Sequence, residues 1–405
     1  MTTISDDLMA HEVILDPHSY YHELRETDPV HWNERWGGWV LTKYDDVVQV
    51  LRDSVHFSSD RMAFLDKELS TEQRDSYAPI FKVLSKWIVF RDPPMHTKLR
   101  LLLNPHFTPR AIERYRPMVR GIVKRMLDKL EGKGQMELLN DFAYQVPMSV
   151  LLELIGAPLV DREKVKEWSE QLGAFFFIRA DEPRRREIAC EGINSLVEYL
   201  RPIVAQRREH PGVDLISLLL GAEETGDITE DDVIATCVLL VFGGHETTMN
   251  LIANGTLALI NHPDQWELLK QNPGIIENAV EEMLRFDGSV KATVRWVTED
   301  VTVGGKLIKK GDRVLVGLSA ANRDPGKFNH PDVLDLNRDP NPHVAFAHGI
   351  HVCLGASLAR MELQEVFTGL TQRLPCPVLA TDKLEYHATV VNRALESLPI
   401  SWKVG

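Results

Sequence analysis

The chain has 405 residues, 44% of them hydrophobic and 26% charged, which is enough apolar material for a sizeable core beneath a polar surface. Its formal net charge of −13 argues against nucleic acid or an anionic membrane surface as a general partner. The four cysteines form no CxxC pair, which excludes the usual zinc and disulfide frameworks.

No feature of the sequence divides the chain or targets it to a membrane. There is no Pro/Gly/Ser linker, repeat or low-complexity tract, so we expect a single domain over residues 1–405. No run approaches 18 consecutive apolar residues, and the first fifteen residues are polar and acidic. We therefore expect a cytoplasmic monomer without a membrane anchor.

The first predicted elements are a hairpin and a helix. Val30–Trp32 and Trp39–Leu41 flank the pair Gly37-Gly38, as two strands and their turn would. An amphipathic pattern then predicts a helix from about Asp45 through Leu51. A small sheet therefore opens the fold.

Residues 58–92 show no clear periodicity and are predicted to be irregular. They contain several large apolar residues, including Phe64, Leu65 and Ile88, which suggests a lid over a pocket. Ordinary burial of a loop accounts for the same pattern.

The following helices carry basic and aromatic groups. A helix beginning near Asp92 places His96 and Arg100 on one face, where both could reach one anion, although a solvated face has the same spacing. Farther along, the run of three phenylalanines around Phe176 cannot all face one side of a helix, and a ligand pocket is a plausible destination for one ring. A charged turn is predicted at 180–183.

A long helix is predicted next, with two glycines in its middle. Thr229 and Asp232 resemble a capping box, and Pro263 ends the pattern after about 32 residues, or roughly 48 Å. Gly243 and Gly244 each cost about 1 kcal/mol relative to alanine in a helix. Either they pack closely against a neighbouring helix, or they form a groove beside Thr247, whose hydroxyl could bond the Gly243 carbonyl.

Two later motifs lie before and at a cysteine. Glu282 and Arg285 are three residues apart, as an ion pair on one helical face requires, about seventy residues before Cys353. The pattern around the cysteine is Phe346-x-x-Gly349-x-His351-x-Cys353-x-Gly355, followed by an amphipathic helix. The start of a helix favours a thiolate, so this position suits a metal ligand; a buried structural thiol is the alternative.

This cysteine pattern resembles the heme-binding loop of the cytochrome P-450 family, and the resemblance extends in order over nearly the whole chain. Ala347 stands where that family usually has glycine. The resemblance implies a mainly α fold with small β sheets (α+β), a single triangular-prism heme-thiolate monooxygenase fold with a long central helix. It makes Cys353 the axial ligand of the iron in heme b (iron protoporphyrin IX).

The resemblance also implies roles for other residues. Glu246 and Thr247 would be catalytic and deliver protons to dioxygen. Glu282 and Arg285 would form a structural ion pair, completed by either Arg323 or Arg338. The residues expected to contact the heme are His96, Arg100, Arg295, His351, Phe346, Gly349, Gly355, Gly243 and Gly244. The residues expected to line a substrate site are Phe64, Leu65, Ile88, Phe176, Leu240, Val290, Lys291, Ala292 and Val391.

The implied reaction is monooxygenation, in which one atom of O2 enters a lipophilic small molecule by hydroxylation or epoxidation. Because the chain ends soon after the core, we expect electrons to come from NAD(P)H through a separate ferredoxin and ferredoxin reductase. The basic stretch 110–125, together with Arg360, would dock the ferredoxin. Lys291 or Arg61 could meet a substrate carboxylate, although lysines are usually solvated.

Two other functions remain open at this point. A peroxide-driven peroxygenase would be expected to lose the acid–alcohol pair, so the presence of Glu246 and Thr247 counts against it. A non-catalytic heme-based sensor or carrier could use the same fold without turnover.

Overall fold

Helices make up most of the chain in a computed structural model, which describes residues 5–177 and 184–404. The helices are α1 His11–Leu15, α2 Pro17–Thr27, α3 Tyr44–Arg52, α4 Arg61–Glu68, α5 Thr71–Leu84, α6 Met95–Leu103, α7 Pro109–Glu113, α8 Arg116–Leu130, α9 Gln145–Ile155, α10 Arg162–Phe177, α11 Arg185–Glu209, α12 Leu215–Glu224, α13 Glu230–Asn261, α14 Pro263–Gln271, α15 Ile276–Asp287, α16 Leu318–Asn322 and α17 Ala356–Arg373. The strands are β1 Val30–Asn33, β2 Gly38–Leu41, β3 Phe57–Ser58, β4 Gln135–Glu137, β5 Ala292–Val297, β6 Val301–Val303, β7 Lys306–Ile308, β8 Arg313–Gly317, β9 Val378–Leu379 and β10 Pro399–Ser401. The predicted class, mainly α with small sheets, is confirmed.

Two compact units are assembled from separated stretches of the chain. The first comprises Met1–Ser58, His106–Val146 and Thr247–Gly405. It contains a five-stranded sheet in the order β1-β2-β8-β5-β3, a three-stranded sheet in the order β4-β10-β9, and the pair β6-β7. The second unit comprises Ser59–Pro105 and Pro147–Glu246 and is helical in its described part.

The opening hairpin and helix of the first unit are confirmed. Trp32 pairs with Trp39 across β1 and β2, and their rings meet edge to face with centroids 5.4 Å apart. Gly37 supplies the left-handed turn with φ +68°. Helix α3 buries Val47 against the apolar face of the five-stranded sheet.

Helix α17 forms the other apolar layer of this unit. The face predicted from its spacing is buried, and Val366 and Phe367 are fully enclosed. A Cβ at Gly369 would lie 2.6 Å from Val123 of α8, so this glycine permits the close approach of the two helices. The segment that precedes α17 is therefore mounted on a rigid base.

The prediction of an irregular stretch over residues 58–92 is wrong, because α4 and α5 occupy most of it. The sequence contained a missed start signal: the Ser70 hydroxyl accepts from the Gln73 N–H at 3.3 Å, and the Gln73 side chain accepts from the Ser70 N–H at 2.9 Å. Helix α5 then buries Ile80 and Leu84 at helical spacing in the second unit. The predicted turn at 180–183 lies outside the described residues.

Helix α13 has the predicted cap and length. Thr229 and Asp232 form the reciprocal capping box, with N–H···O distances of 3.0 and 3.2 Å, and the helix runs for 32 residues. It continues through both central glycines without a break. Within residues 5–177 and 184–404, no helix combines the length and apolar character that crossing a membrane requires.

Candidate functional site

Cys353 lies in an exposed loop directly before α17. Its N–H donates to the Phe346 carbonyl at 2.9 Å, which closes the loop beneath the thiol. All residues from 345 to 357 are at least partly exposed, and many of them are apolar. An exposed thiol surrounded by apolar surface, at the start of an 18-residue helix, suits a thiolate that binds the metal of a flat apolar group.

The loop backbone depends on two left-handed residues. Gly349 has φ +73°, and a Cβ there would lie 2.2 Å from the Leu51 carbonyl oxygen, so only glycine fits. Ala347 has φ +58°, a conformation that costs an L-residue roughly 1–2 kcal/mol. The alanine at this position, where the family usually has glycine, therefore adopts the left-handed conformation that the loop requires, at some cost in stability.

Arg360 and His343 hold the cysteine loop against Glu281 of α15. The Arg360 guanidinium donates to both oxygens of Glu281 at 2.6 and 2.8 Å and lies 4.6 Å above the Phe346 ring. His343 Nε2 lies 2.9 Å from the same carboxylate. Burial alone would raise the pKa of Glu281, but the hydrogen bonds from Arg360 and His343 lower it to about 2. The carboxylate is therefore charged at neutral pH and anchors the loop.

The predicted pair of α15 is present and fully buried. Glu282 accepts from Arg285 at 2.7 and 2.8 Å and from Arg338 Nε at 3.1 and 3.0 Å. Arg323 instead donates to the Phe286 carbonyl and to Asp332. Arg338 therefore completes the network.

Basic residues expected near a heme occur in both units. In the first unit Arg295 is buried on β5 and His351 is partly exposed in the cysteine loop. In the second unit α6 carries His96, which is buried, and Arg100, which is partly exposed. Cationic side chains of this kind are the partners that carboxylates in an apolar site require.

The middle of α13 combines a tight and an open position. A Cβ at Gly244 would lie 3.0 Å from Leu151, so close helix packing explains this glycine. A Cβ at Gly243 would meet only Leu239, at 3.6 Å. Next along the helix, burial and the nearby Glu170 raise the pKa of Glu246 to about 8, so its carboxyl carries a proton at neutral pH. Thr247 follows it directly.

An aromatic cluster occupies the second unit, and sequence reasoning found only part of it. The Phe176 ring lies 6.1 Å from Trp87 and 5.1 Å from Phe242, centroid to centroid. Trp87 is fully buried, whereas Phe176 and Phe242 are partly exposed. The signal for Phe242 was its position immediately before the two glycines. The other candidates of this unit divide into Phe64, Leu65 and Leu240, which are partly exposed, and Ile88, which is buried.

The remaining lining candidates meet in the first unit. The N–H groups of Lys291 and Ala292 both donate to the Val391 carbonyl, at 2.7 and 3.3 Å. Val290 and Val391 are partly exposed, but Ala292 is fully buried and offers no open surface. Lys291 does not have the solvated position that is usual for lysine, because it is only 4% exposed and its Nζ donates to the Thr389 carbonyl at 2.7 Å. Arg61, in the second unit, lies 5.6 Å above the Phe176 ring.

The proposed basic docking surface is smaller than the sequence implied. Arg116 and Arg120 both bind Glu365, at 3.0 and 2.8 Å, and Arg360 is paired with Glu281. These ion pairs neutralise part of the charge, a cancellation across distant segments that the local sequence could not show. Lys124 is paired with Asp128 at 2.9 Å, so the exposed cations of the stretch that form no ion pair with a described residue are Arg110, Arg114 and Arg125.

Comparison with known proteins gives concordant matches. The family model described as Cytochrome P450 matches residues 15–383. The chain is 37% identical over 406 residues to the biotin biosynthesis cytochrome P450 of Bacillus subtilis (strain 168), with 99% of this chain and 100% of that protein covered. Two crystal structures are similar to this chain. One is P450BioI in complex with an acyl carrier protein ligated to hexadec-9Z-enoic acid, at 36% identity and a TM-score of 0.90, with 97% of this chain and 99% of that chain covered. The other is CYP109E1 from Bacillus megaterium in complex with testosterone, at 32% identity and a TM-score of 0.88, with 98% of this chain and 100% of that chain covered.

Proposed function

The chain belongs to the cytochrome P450 family, and from that premise we propose that Cys353 is the axial ligand of its heme iron. In this proposal the enzyme oxidises a lipophilic small molecule with electrons from a ferredoxin and its NAD(P)H-dependent reductase. Membership implies a monooxygenase that uses heme iron and O2. The single observation that carries the assignment of the ligand is the exposed Cys353 thiol on a fixed loop at the start of α17. A buried thiol would not accept a metal there.

The residues present fit a b-type heme. The apolar loop surface around Cys353 suits a porphyrin face. Gly355, where a Cβ would meet no atom within 4 Å, lets the group approach the backbone closely, whereas Gly349 contributes by letting the loop pack against Leu51. When bound, the heme supplies the activation of O2. The side chains proposed to neutralise its two propionates are Arg295, His351, His96 and Arg100.

In this proposal the protein moves protons through α13. Because burial keeps Glu246 protonated at neutral pH, its carboxyl is placed to donate a proton, and the Thr247 hydroxyl would relay it. Gly243, where a Cβ would touch only Leu239, leaves more room beside these groups than Gly244 does. The acid–alcohol pair supports a monooxygenase that uses O2 over a peroxygenase.

The lipophilic nature of the substrate is supported by the partly exposed rings of the aromatic cluster. The relatives differ in their ligands, because one binds a fatty acyl chain on a carrier protein and another binds a steroid. They therefore support apolar substrates as a class and leave chain and ring skeletons both open. The ferredoxin and the cytoplasmic location belong to the same proposal.

Isotope labelling tests the proposed reaction. The purified heme enzyme is supplied with ferredoxin, ferredoxin reductase, NADPH and ¹⁸O2 and is screened against fatty acids and steroids, with product detected by mass spectrometry. One labelled oxygen atom per product is expected. Product formed only with hydrogen peroxide would favour a peroxygenase, and ligand binding without any product would favour a sensor or carrier.

A further inference from the structure

Lys291 is a buried lysine whose ammonium group has no carboxylate partner in the described part of the chain. Its side chain donates one hydrogen bond, to the Thr389 carbonyl at 2.7 Å. Among residues 5–177 and 184–404, no Asp or Glu oxygen lies within 4.0 Å of its Nζ. An ammonium has three donors, so burying it with a single backbone acceptor costs stability. This cost would be offset by an acceptor that binds the ammonium from outside the chain.

The surrounding backbone fixes the position of this lysine. The Lys291 N–H donates to the Val391 carbonyl at 2.7 Å, and the Ser319 N–H donates to the Lys291 carbonyl at 3.0 Å. One residue before Lys291, Val290 pairs with Asn392 in an isolated antiparallel β-bridge. The backbone of Lys291 is therefore held in place, and the Thr389 carbonyl holds its amine.

The neighbouring charges leave Lys291 with an excess of positive charge. Arg393 has Asp287 at 3.5 Å, and Arg323 has Asp332 at 2.9 Å, so each arginine is next to an acid. Asp287, which pairs with Arg393, also attracts Lys291 from farther away, but of these three cations Lys291 is the one with no Asp or Glu oxygen of a described residue within 4.0 Å. An anion would complete the balance.

Lys291 directly precedes β5, the strand that carries the proposed heme contact Arg295. Arg295 Nη1 lies 3.1 Å from Thr293 Oγ1, so these two side chains share one side of β5. Lys291 belongs to the same alternation, and four residues of extended strand span about 13 Å. The partly exposed side chains of Val290 and Val391 offer apolar contacts next to the amine.

We propose that the Lys291 ammonium binds the carboxylate of the substrate, which makes the substrate a lipophilic carboxylic acid. This inference rests on the proposed monooxygenase and narrows its substrate class. The carboxylate would replace the missing acid, and the apolar remainder would extend along the neighbouring valines. A salt bridge of this kind fixes which carbon of the substrate can be oxidised.

Binding of such a substrate depends on pH in a defined direction. Burial and Arg393 lower the pKa of Lys291 to about 7, so the protonated fraction falls from about 0.9 at pH 6 to about 0.1 at pH 8. The other ionisable groups around it are Asp287 with a pKa of about 2, Tyr386 with a pKa of about 12, His18, whose pKa burial lowers from 6.5, and the arginines Arg323 and Arg393. Affinity for a carboxylate should therefore fall about tenfold over this range.

Calorimetric titration of the heme enzyme tests the proposal with tetradecanoate and 2-naphthoate, each compared with its methyl ester. At least one acid is expected to bind at least about tenfold more tightly than its ester at pH 6, with the difference lost by pH 8. Lys291→Met should abolish the preference. Lys291→Arg should keep it and remove its pH dependence, because arginine does not titrate in this range. Lys310→Met, which changes an exposed lysine, is the matched control.

Two results would overturn the proposal. One is that neither acid binds more tightly than its ester, and the other is that the preference survives in Lys291→Met. Should Lys291→Met not fold, the wild-type pH series and Lys291→Arg still decide. A reduced, CO-bound spectrum of each preparation reports on heme ligation, so failure of the proposed heme site is recognised separately from failure of carboxylate binding.

Discussion

Replacing Arg338 tests whether this arginine supports the buried carboxylate of Glu282. Arg338 donates twice to Glu282 and also to the carbonyls of Asn329, His330 and Val333, at 2.8, 3.2 and 3.1 Å. Removing one partner of a buried ion pair costs about 3–5 kcal/mol, because the remaining charge stays in a medium of low polarity. Arg338→Gln leaves Glu282 with Arg285, so we expect the lower part of that range.

Arg323→Gln is the matched control for this change. Arg323 is buried and also donates to the Phe286 carbonyl, but the side chain of its acidic partner Asp332 is 71% exposed and stays solvated when the arginine is removed, so Arg323→Gln does not leave that carboxylate buried and unpaired. Urea unfolding followed by circular dichroism should therefore give a clearly lower midpoint for Arg338→Gln than for Arg323→Gln. The fraction of protein that keeps its thiolate CO spectrum should follow the same order. Equal midpoints, or a larger loss for Arg323→Gln, would refute the assignment of Arg338 to this network.

Three further predictions concern protons and docking. Burial raises the pKa of Glu362 from 4.5 to about 8, so between about pH 5 and 8 the native state holds a proton that the unfolded chain has lost, and the stability of the wild type falls as pH rises. Relative to wild type, Glu362→Gln should therefore gain about 1.4 kcal/mol of stability per pH unit in that range. Parallel pH profiles of the two unfolding midpoints would contradict this. Thr247→Ala should leave heme and substrate binding nearly unchanged but divert NADPH electrons to peroxide, and unchanged coupling of NADPH use to product would reject the relay from Glu246. Arg110→Glu should slow ferredoxin-driven reduction at low salt and less at high salt. Arg360→Glu should also disturb the CO spectrum, because Arg360 anchors the cysteine loop. Stopped-flow rates of Arg110→Glu equal to wild type at every ionic strength would point to another docking face.

Local signals in the sequence were sufficient for the elements that depend on neighbours in the chain. The capping box at Thr229, the spacing of Glu282 and Arg285, and the hairpin around Gly37 each describe contacts within a few residues, and all were predicted correctly. Helix α5 was missed although Ser70 carries the same type of cap. Its apolar positions are diluted by polar ones and by an internal proline, which hid the period.

Features that depend on distant segments were beyond sequence reasoning. The environment of Lys291 is made by the carbonyl of Thr389, almost a hundred residues later, so the spacing around the lysine gives no sign of its burial. The choice of Arg338 over Arg323 depends in the same way on how residues 323–341 fold back onto α15. The neutralisation of Arg116 by Glu365 joins two helices far apart in the sequence.

The most direct test of the central claim is the absorption spectrum of the reduced, CO-bound Cys353→Ser enzyme. A serine oxygen is a harder and more basic ligand that stays largely protonated, so we expect the mutant to lose the red-shifted Soret band of a thiolate-bound iron. Cys376→Ser, which changes a partly buried cysteine elsewhere, should keep that band. A Cys353→Ser enzyme that retains the wild-type band would show that Cys353 does not bind the iron and would contradict the proposed heme site.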